Sequence, residues 1–175
     1  MRAFYHDNDP SVDYREDHDS GIEVSESELK SIGVLYYNLS TIEQVDQLAK
    51  ERDYKNRDQI EISPTSFGSE EALKAKLDIF YAEHIHEDEE IRYVVDGEGF
   101  FDVRSKDDKW IRAKVAKNDL LILPAGIYHR FTLTSDNYIK AMRLFKEEPK
   151  WIALNRPVDE NEYRKEYVQS ISAAS

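Results

Sequence analysis

The sequence predicts a mainly β protein, an antiparallel barrel or jelly roll with a few α-helices flanking it in the N-terminal half. Two observations carry that expectation. After His84 the chain breaks into short runs rich in β-branched and aromatic residues: "IRYVV", "GFFDVRS", "KWIRAKVA", "DLLILP", "HRFTLTS" and "IKAMRLF". They are separated by "DGEG", "KDD", "KND", "PAG" and "SDN", which are turn chemistry. Strands so closely spaced and so tightly joined pair antiparallel and close into a barrel or a double sheet. Before His84 the periodicity is helical.

Residues 1–30 carry nine acids against Arg2, Arg15 and Lys30, half of the net charge of −12, and read as a solvated tail or loop. "SESELKSIG" has a capping-box pattern in Ser25 and Glu28 and stops at Gly33. "GVLYYNL" is rich in strand formers. "STIEQVDQLAKERDY" repeats the cap with Ser40 and Glu43 and sets Ile42, Val45, Leu48 and Ala49 on one helical face. "SEEALKAKLDIFYAEH" opens with acids and spaces Leu73, Leu77 and Phe80 for one face. Beyond Pro157 the polar tail, 158–175, reads as a short helix with a frayed end. No repeat or linker interrupts the chain, so 1–175 is expected to be one domain.

Composition narrows the function. The chain has 175 residues, 40% of them hydrophobic, enough for a core without covalent staples. It has no cysteine, which excludes disulfides, thiolate metal sites and cysteine nucleophiles. The acidic balance argues against nucleic acid as the main partner. No apolar run approaches membrane-spanning length. The start, "MRAFYHDNDP", has no secretory h-region. A cytoplasmic location is expected, with diffusion into the nucleus open to a chain of 20.5 kDa.

The segment "EHIHEDEEIRYVVDGEG" holds the chemistry. On an extended strand, side chains alternate faces, so His84, His86, Asp88, Glu90, Arg92 and Val94 share one face, and Glu87, Glu89 and Ile91 share the other. Two imidazoles with a carboxylate form a metal site with open positions. His129, just after the tight turn "LPAGIY", can bring a third imidazole from a neighbouring strand. The same pattern suits a solvated hairpin edge, and spacing alone leaves both readings open.

The spacing resembles the two cupin motifs. "HIHEDEEIRYVVDG" fits H-x-H-x3-E-x6-G at His84, His86, Glu90 and Gly97. "NDLLILPAGIYH" is similar to G-x5-P-x-G-x2-H at Pro124, Gly126 and His129, with Asn118 in place of the leading Gly. Asn also tolerates a left-handed turn. The Asn usual beyond that His is replaced by Leu133. Within the cupins the chain resembles the acireductone dioxygenases of methionine salvage, through "GVLYYNL", "HIHEDEEIRYVVDGEGFFDVR", "LPAGIYHRFTL", "AMRLF" and "WIALNRP".

That resemblance implies a cupin-type β-barrel, with His84, His86, Glu90 and His129 as metal ligands and Glu90, not Asp88, as the carboxylate. It implies Arg92 as a catalytic, substrate-contacting residue. Val94 and Phe131 are expected in the pocket because parity puts them on the ligand face. The implied metal is Fe(II), with Ni(II) as the alternative. The implied substrates are acireductone and O2. The iron enzymes of the family give 4-methylthio-2-oxobutanoate and formate, and the nickel enzymes give methylthiopropionate, formate and carbon monoxide. A monomer is expected. Another cupin enzyme, a non-catalytic metal-dependent binding module and a plain barrel with structural histidines are the rival readings.

Overall fold

The computed structural model describes residues 1–147 and 152–173. Trp151 of "WIALNRP" and the last two residues of the tail lie outside them. In chain order the elements are β1 (Arg2–His6), β2 (Asp19–Glu23), α1 (Glu26–Ser31), β3 (Leu35–Asn38), α2 (Ile42–Glu51), β4 (Asn56–Ile62), α3 (Pro64–Phe67) and α4 (Glu70–Phe80). Then follow β5 (His84–Ile85), β6 (Glu90–Arg104), β7 (Trp110–Ala116), β8 (Asp119–Leu123), β9 (His129–Leu133), β10 (Ile139–Phe145), β11 (Leu154–Asn155) and α5 (Glu162–Ala173).

The fold is organised by one long strand. The first half of β6 pairs with β8 and β10, and β10 with β4. The second half pairs with β7 and β9. β6 therefore belongs to both halves of a jelly-roll-like antiparallel sheet, which is open rather than closed into a barrel. "DGEG", expected as a turn, is instead an unbroken part of β6, where the strand changes partners. Gly97 takes φ +78 there, and a Cβ would lie 2.4 Å from the Tyr138 carbonyl oxygen. Only glycine meets both demands.

The main core fills the space between the sheet halves. Leu73 and Leu77 of α4 reach it, each burial worth roughly 1.5–3 kcal/mol. A second core lies under α2, where Val45, Leu48 and Ala49 pack on Ile91, Tyr93, Leu120, Ile122 and Leu144. β8 is buried on both faces, with Leu121 and Leu123 in one core and Leu120 and Ile122 in the other. This accounts for the unbroken apolar run "LLIL".

Several local expectations change. α1 is capped by Ser25 as expected. α2 is capped one residue later than expected, by Thr41 with Gln44, because the Gln44 side chain accepts from the backbone N–H groups of both Ser40 and Thr41. Ile42, assigned to the buried face, is 46% exposed. Residues 1–30, expected as a solvated tail or loop, are exposed at 7–13 and 20–23 but anchored by β1. β1 pairs with β7, Phe4 is fully buried, and the amino terminus lies 3.3 Å from the buried Asp119 carboxylate. Ala3 and Phe4 of "RAFYH" are both buried. The C-terminal helix α5 is docked: Tyr167 is buried and donates to the Ile32 carbonyl, 2.7 Å away.

Candidate metal centre

Two strands deliver the histidines, β5 with His84 and β9 with His129, and His86 lies just past the end of β5. β5 pairs with β9 so that His84 stands directly opposite His129. The turn before β9 contains Gly126 at φ +85, whose N–H donates to the His86 carbonyl at 3.0 Å. The same turn thus carries His129 in and pins His86. Asn118 is left-handed, φ 78, which is how the second motif dispenses with its leading glycine. The extended line assumed from His84 onward breaks after His86: residues 87–89 turn away, and β6 restarts at Glu90. Asp88 sits exposed on that turn, and Glu90 re-enters beside the histidines.

Glu87 and Glu89 point off the site, yet they are not a plain solvated face. Glu87 accepts from the Asn161 amide at 2.9 Å, and Glu89 accepts from the Tyr54 hydroxyl at 3.0 Å.

The donor set fits a divalent cation. One ring nitrogen from each of His84, His86 and His129 lies within 4.8 Å of the others. Each Nδ1 faces a backbone carbonyl: Ala82 at 2.6 Å, Ile152 at 2.9 Å and Ile127 at 3.0 Å, respectively. A carbonyl only accepts, so Nδ1 carries the proton and Nε2 keeps its lone pair, the tautomer a metal requires. His129 Nε2 and Glu90 Oε2 are 2.7 Å apart, but both are buried without a hydrogen-bond partner of acceptable geometry. Two buried polar atoms left unsatisfied this way cost about 1–3 kcal/mol each. A shared cation would satisfy both.

The electrostatics agree. Burial pushes the His84 imidazole down to about 4 and lowers that of His86, so both stay neutral. Burial also raises the Glu90 carboxyl, but opposing influences led by the Arg92 guanidinium outweigh it and hold the group well below its ordinary range. Neutral imidazole and ionised carboxylate are the forms that ligate.

Beside these residues lies a cavity of about 280 Å³. Arg92, Val94 and Phe131 line it. Leu133, which shares that parity, is instead packed in the core. Sequence reading missed Ile60 and Ile62 of β4, Phe80, Phe101, Ile139, Ala141 and Arg143. "QIEI" holds the signal for the first two, a period of two masked by the charges around it. Ile139, Ala141 and Arg143 follow the same alternation on β10. Arg143 is held by both oxygens of Asp58, at 2.8 and 2.6 Å. Phe131 packs on Phe101 with centroids 4.9 Å apart, and its ring occupies the space a side chain at residue 99 would take.

Comparison with known proteins places this geometry in a family. A family model described as ARD/ARD' matches residues 2–153. Acireductone dioxygenase of Yarrowia lipolytica is 59% identical over 173 residues, covering 99% of this chain and 100% of that protein. Acireductone dioxygenase of Emericella nidulans is 58% identical over 177 residues, covering 100% and 98%. Among solved structures, acireductone dioxygenase from Bacillus anthracis with a cadmium ion in its active centre matches with a TM-score of 0.64. It is 25% identical, and the match covers 74% of this chain and 87% of that one. With sequence similarity over nearly the full length, and a shared fold, this chain belongs to the ARD/ARD' family.

Proposed function

We propose that this chain is a metal-dependent acireductone dioxygenase, cleaving 1,2-dihydroxy-5-(methylthio)pent-1-en-3-one with O2 in methionine salvage. The observation that carries the reading is the pair of buried, unpartnered atoms, His129 Nε2 and Glu90 Oε2, beside two more imidazoles in the ligating tautomer. His84, His86, Glu90 and His129 would hold the ion, Fe(II) in the on-pathway enzyme and Ni(II) as the alternative. Bound there, the ion supplies Lewis acidity and a template for the oxygens of the enediolate.

The protein's own groups do the rest. The carbonyls of Ala82, Ile152 and Ile127 fix the three rings. Arg92 offers a fixed positive charge to an electron-rich anion, in a cavity where water screens it little. Val94, Phe101 and Phe131 form an apolar wall for the methylthio tail and keep water from it. We assign 1–175 to one domain acting as a monomer in the cytoplasm and, by diffusion, the nucleus. The packing of both β1 and α5 on the main core supports the single domain. The absence of cysteine is compatible with the location.

The test is a product assay. Chelator-stripped protein is reloaded with Fe(II) and given acireductone and O2. Enzyme-dependent 4-methylthio-2-oxobutanoate above the uncatalysed background is expected. Background formation by protein shown to hold Fe(II) would overturn the iron reading. Reloading with Ni(II) is expected to redirect the products to methylthiopropionate, formate and carbon monoxide.

A further inference from the structure

A second cavity, of about 490 Å³, lies behind the first. His129 and Phe131 face the metal centre, so Arg130, between them on β9, faces the opposite way, and it lines the second cavity with Tyr14, Lys74, Tyr81 and Trp110. His6, Asp7 and His18 cluster at its edge. They do not form a second cation site. Both nitrogens of His18 are bonded, Nδ1 to the Asp7 carboxylate at 2.7 Å and Nε2 to the Asp13 carbonyl at 2.8 Å. His6 Nδ1 accepts the Asn8 N–H at 2.8 Å, and the two rings stack nearly parallel.

The informative feature is a buried charge imbalance. Asp102, 1% exposed, is shared by two guanidinium groups. Arg112 meets it through Nε and Nη2 at 2.8 and 3.0 Å, and Arg130 through Nε at 2.7 Å. Two cations against one carboxylate leave one positive charge over. Arg112 is fully buried, and its other bonds go to the Tyr14 and Glu16 carbonyls and the Tyr81 hydroxyl. Arg130 is different. Its guanidinium is clamped between Tyr81 and Trp110, 4.0 Å from each ring centroid. Its Nη1 and Nη2 have no acceptor among the described residues. The acids nearby are engaged elsewhere or exposed. Asp13 is held by Arg15 through both oxygens, and Asp9 accepts from Ser11 at the exposed mouth.

We propose that this cavity is a binding site for a small organic monocarboxylate, held by the Nη1–Nη2 edge of Arg130. The planar fork matches a carboxylate, and stacking between two rings presets its orientation. The charge left over within the Asp102 cluster matches one carboxylate, and Asp9 and Asp13, which also line the cavity, disfavour a more highly charged anion. Tyr81, Trp110 and Val12 provide apolar surface for a short carbon chain. Lys74, over the Tyr14 ring and paired with Asp78, stands at the rim.

The test is calorimetric titration of the metal-loaded full chain with sodium butyrate and, separately, inorganic phosphate, at constant ionic strength. Saturable butyrate binding at one site per chain is expected, and it persists after the metal is stripped. Arg130→Gln weakens it about tenfold, the loss of a charge-assisted pair. Lys74→Glu, a charge reversal at a partly exposed position of α4 whose folding a thermal melt checks, weakens it about threefold through the field. That variant decides the matter if Arg130→Gln does not fold. No saturable binding, binding lost with the metal, affinity indifferent to Lys74→Glu, or phosphate bound more tightly than butyrate would each overturn the proposal. Loss with the metal would place the carboxylate at the histidines instead.

Discussion

Arg92 and Glu90 meet across 3.0 Å, from Nη2 to Oε1, while the other oxygen of Glu90 faces His129. The arginine that lines the cavity therefore also orients the carboxylate of the candidate metal centre. Its two duties separate by magnitude. Arg92→Ala is expected to lower kcat by about 10²–10³ at full metal loading. It is also expected to weaken metal affinity by roughly tenfold, the usual cost of losing a group that orients a ligand. Steady-state kinetics at saturating Fe(II), beside a metal titration, separates the two, and an unchanged kcat removes Arg92 from the chemistry.

The turn at 87–89 makes neighbouring acids unequal. Glu90→Gln keeps the shape but removes the charge, and metal content after dialysis is expected to fall to near background. Asp88→Ala, at an exposed position, is expected to retain full metal. Glu89→Ala should also retain it, while losing about 0.5–1.5 kcal/mol of stability with the Tyr54 hydrogen bond. Elemental analysis and thermal melts of the three variants check this.

Gly99 shapes the pocket without touching the metal centre. A Cβ there would lie 2.8 Å from Phe131 Cε2. Gly99→Ala should push that ring into the cavity and raise KM several-fold, with metal content unchanged. Equal KM values for variant and parent would show that the ring moves elsewhere.

His6 gives the protein an acid-side weakness. Burial pushes its imidazole down to about 4, so between the free value of 6.5 and 4 the unfolded chain takes up a proton that the folded chain refuses. Stability is therefore fully present above pH 6.5 and is lost as pH falls toward 4. His6→Asn keeps an acceptor for the Asn8 N–H and cannot titrate. Tm measured from pH 7 to 4 should fall less steeply in the variant than in the parent. Parallel curves would count against His6 as a source of the slope.

The local and periodic features of this protein were legible in the sequence. Ser25 marked its helix start, Leu73 and Leu77 their buried face, and the spacing of His84, His86, Glu90 and His129 a cluster that the fold brings together. These depend on contacts a few residues long, or on a motif whose spacing reflects strand geometry. Three things were settled only by the tertiary structure. "DGEG" is strand and not a turn, because β6 finds partners on both sides of Gly97. Residues 1–30 are anchored, because β7 offers an edge to Phe4 and its neighbours that no local charge count can register. Arg130, one residue beyond His129, faces a second cavity with a charge to spare, because Asp102 and Arg112 come from two other strands. Pairing between distant strands decides which buried charges meet, and that sum is written in no single segment of the chain.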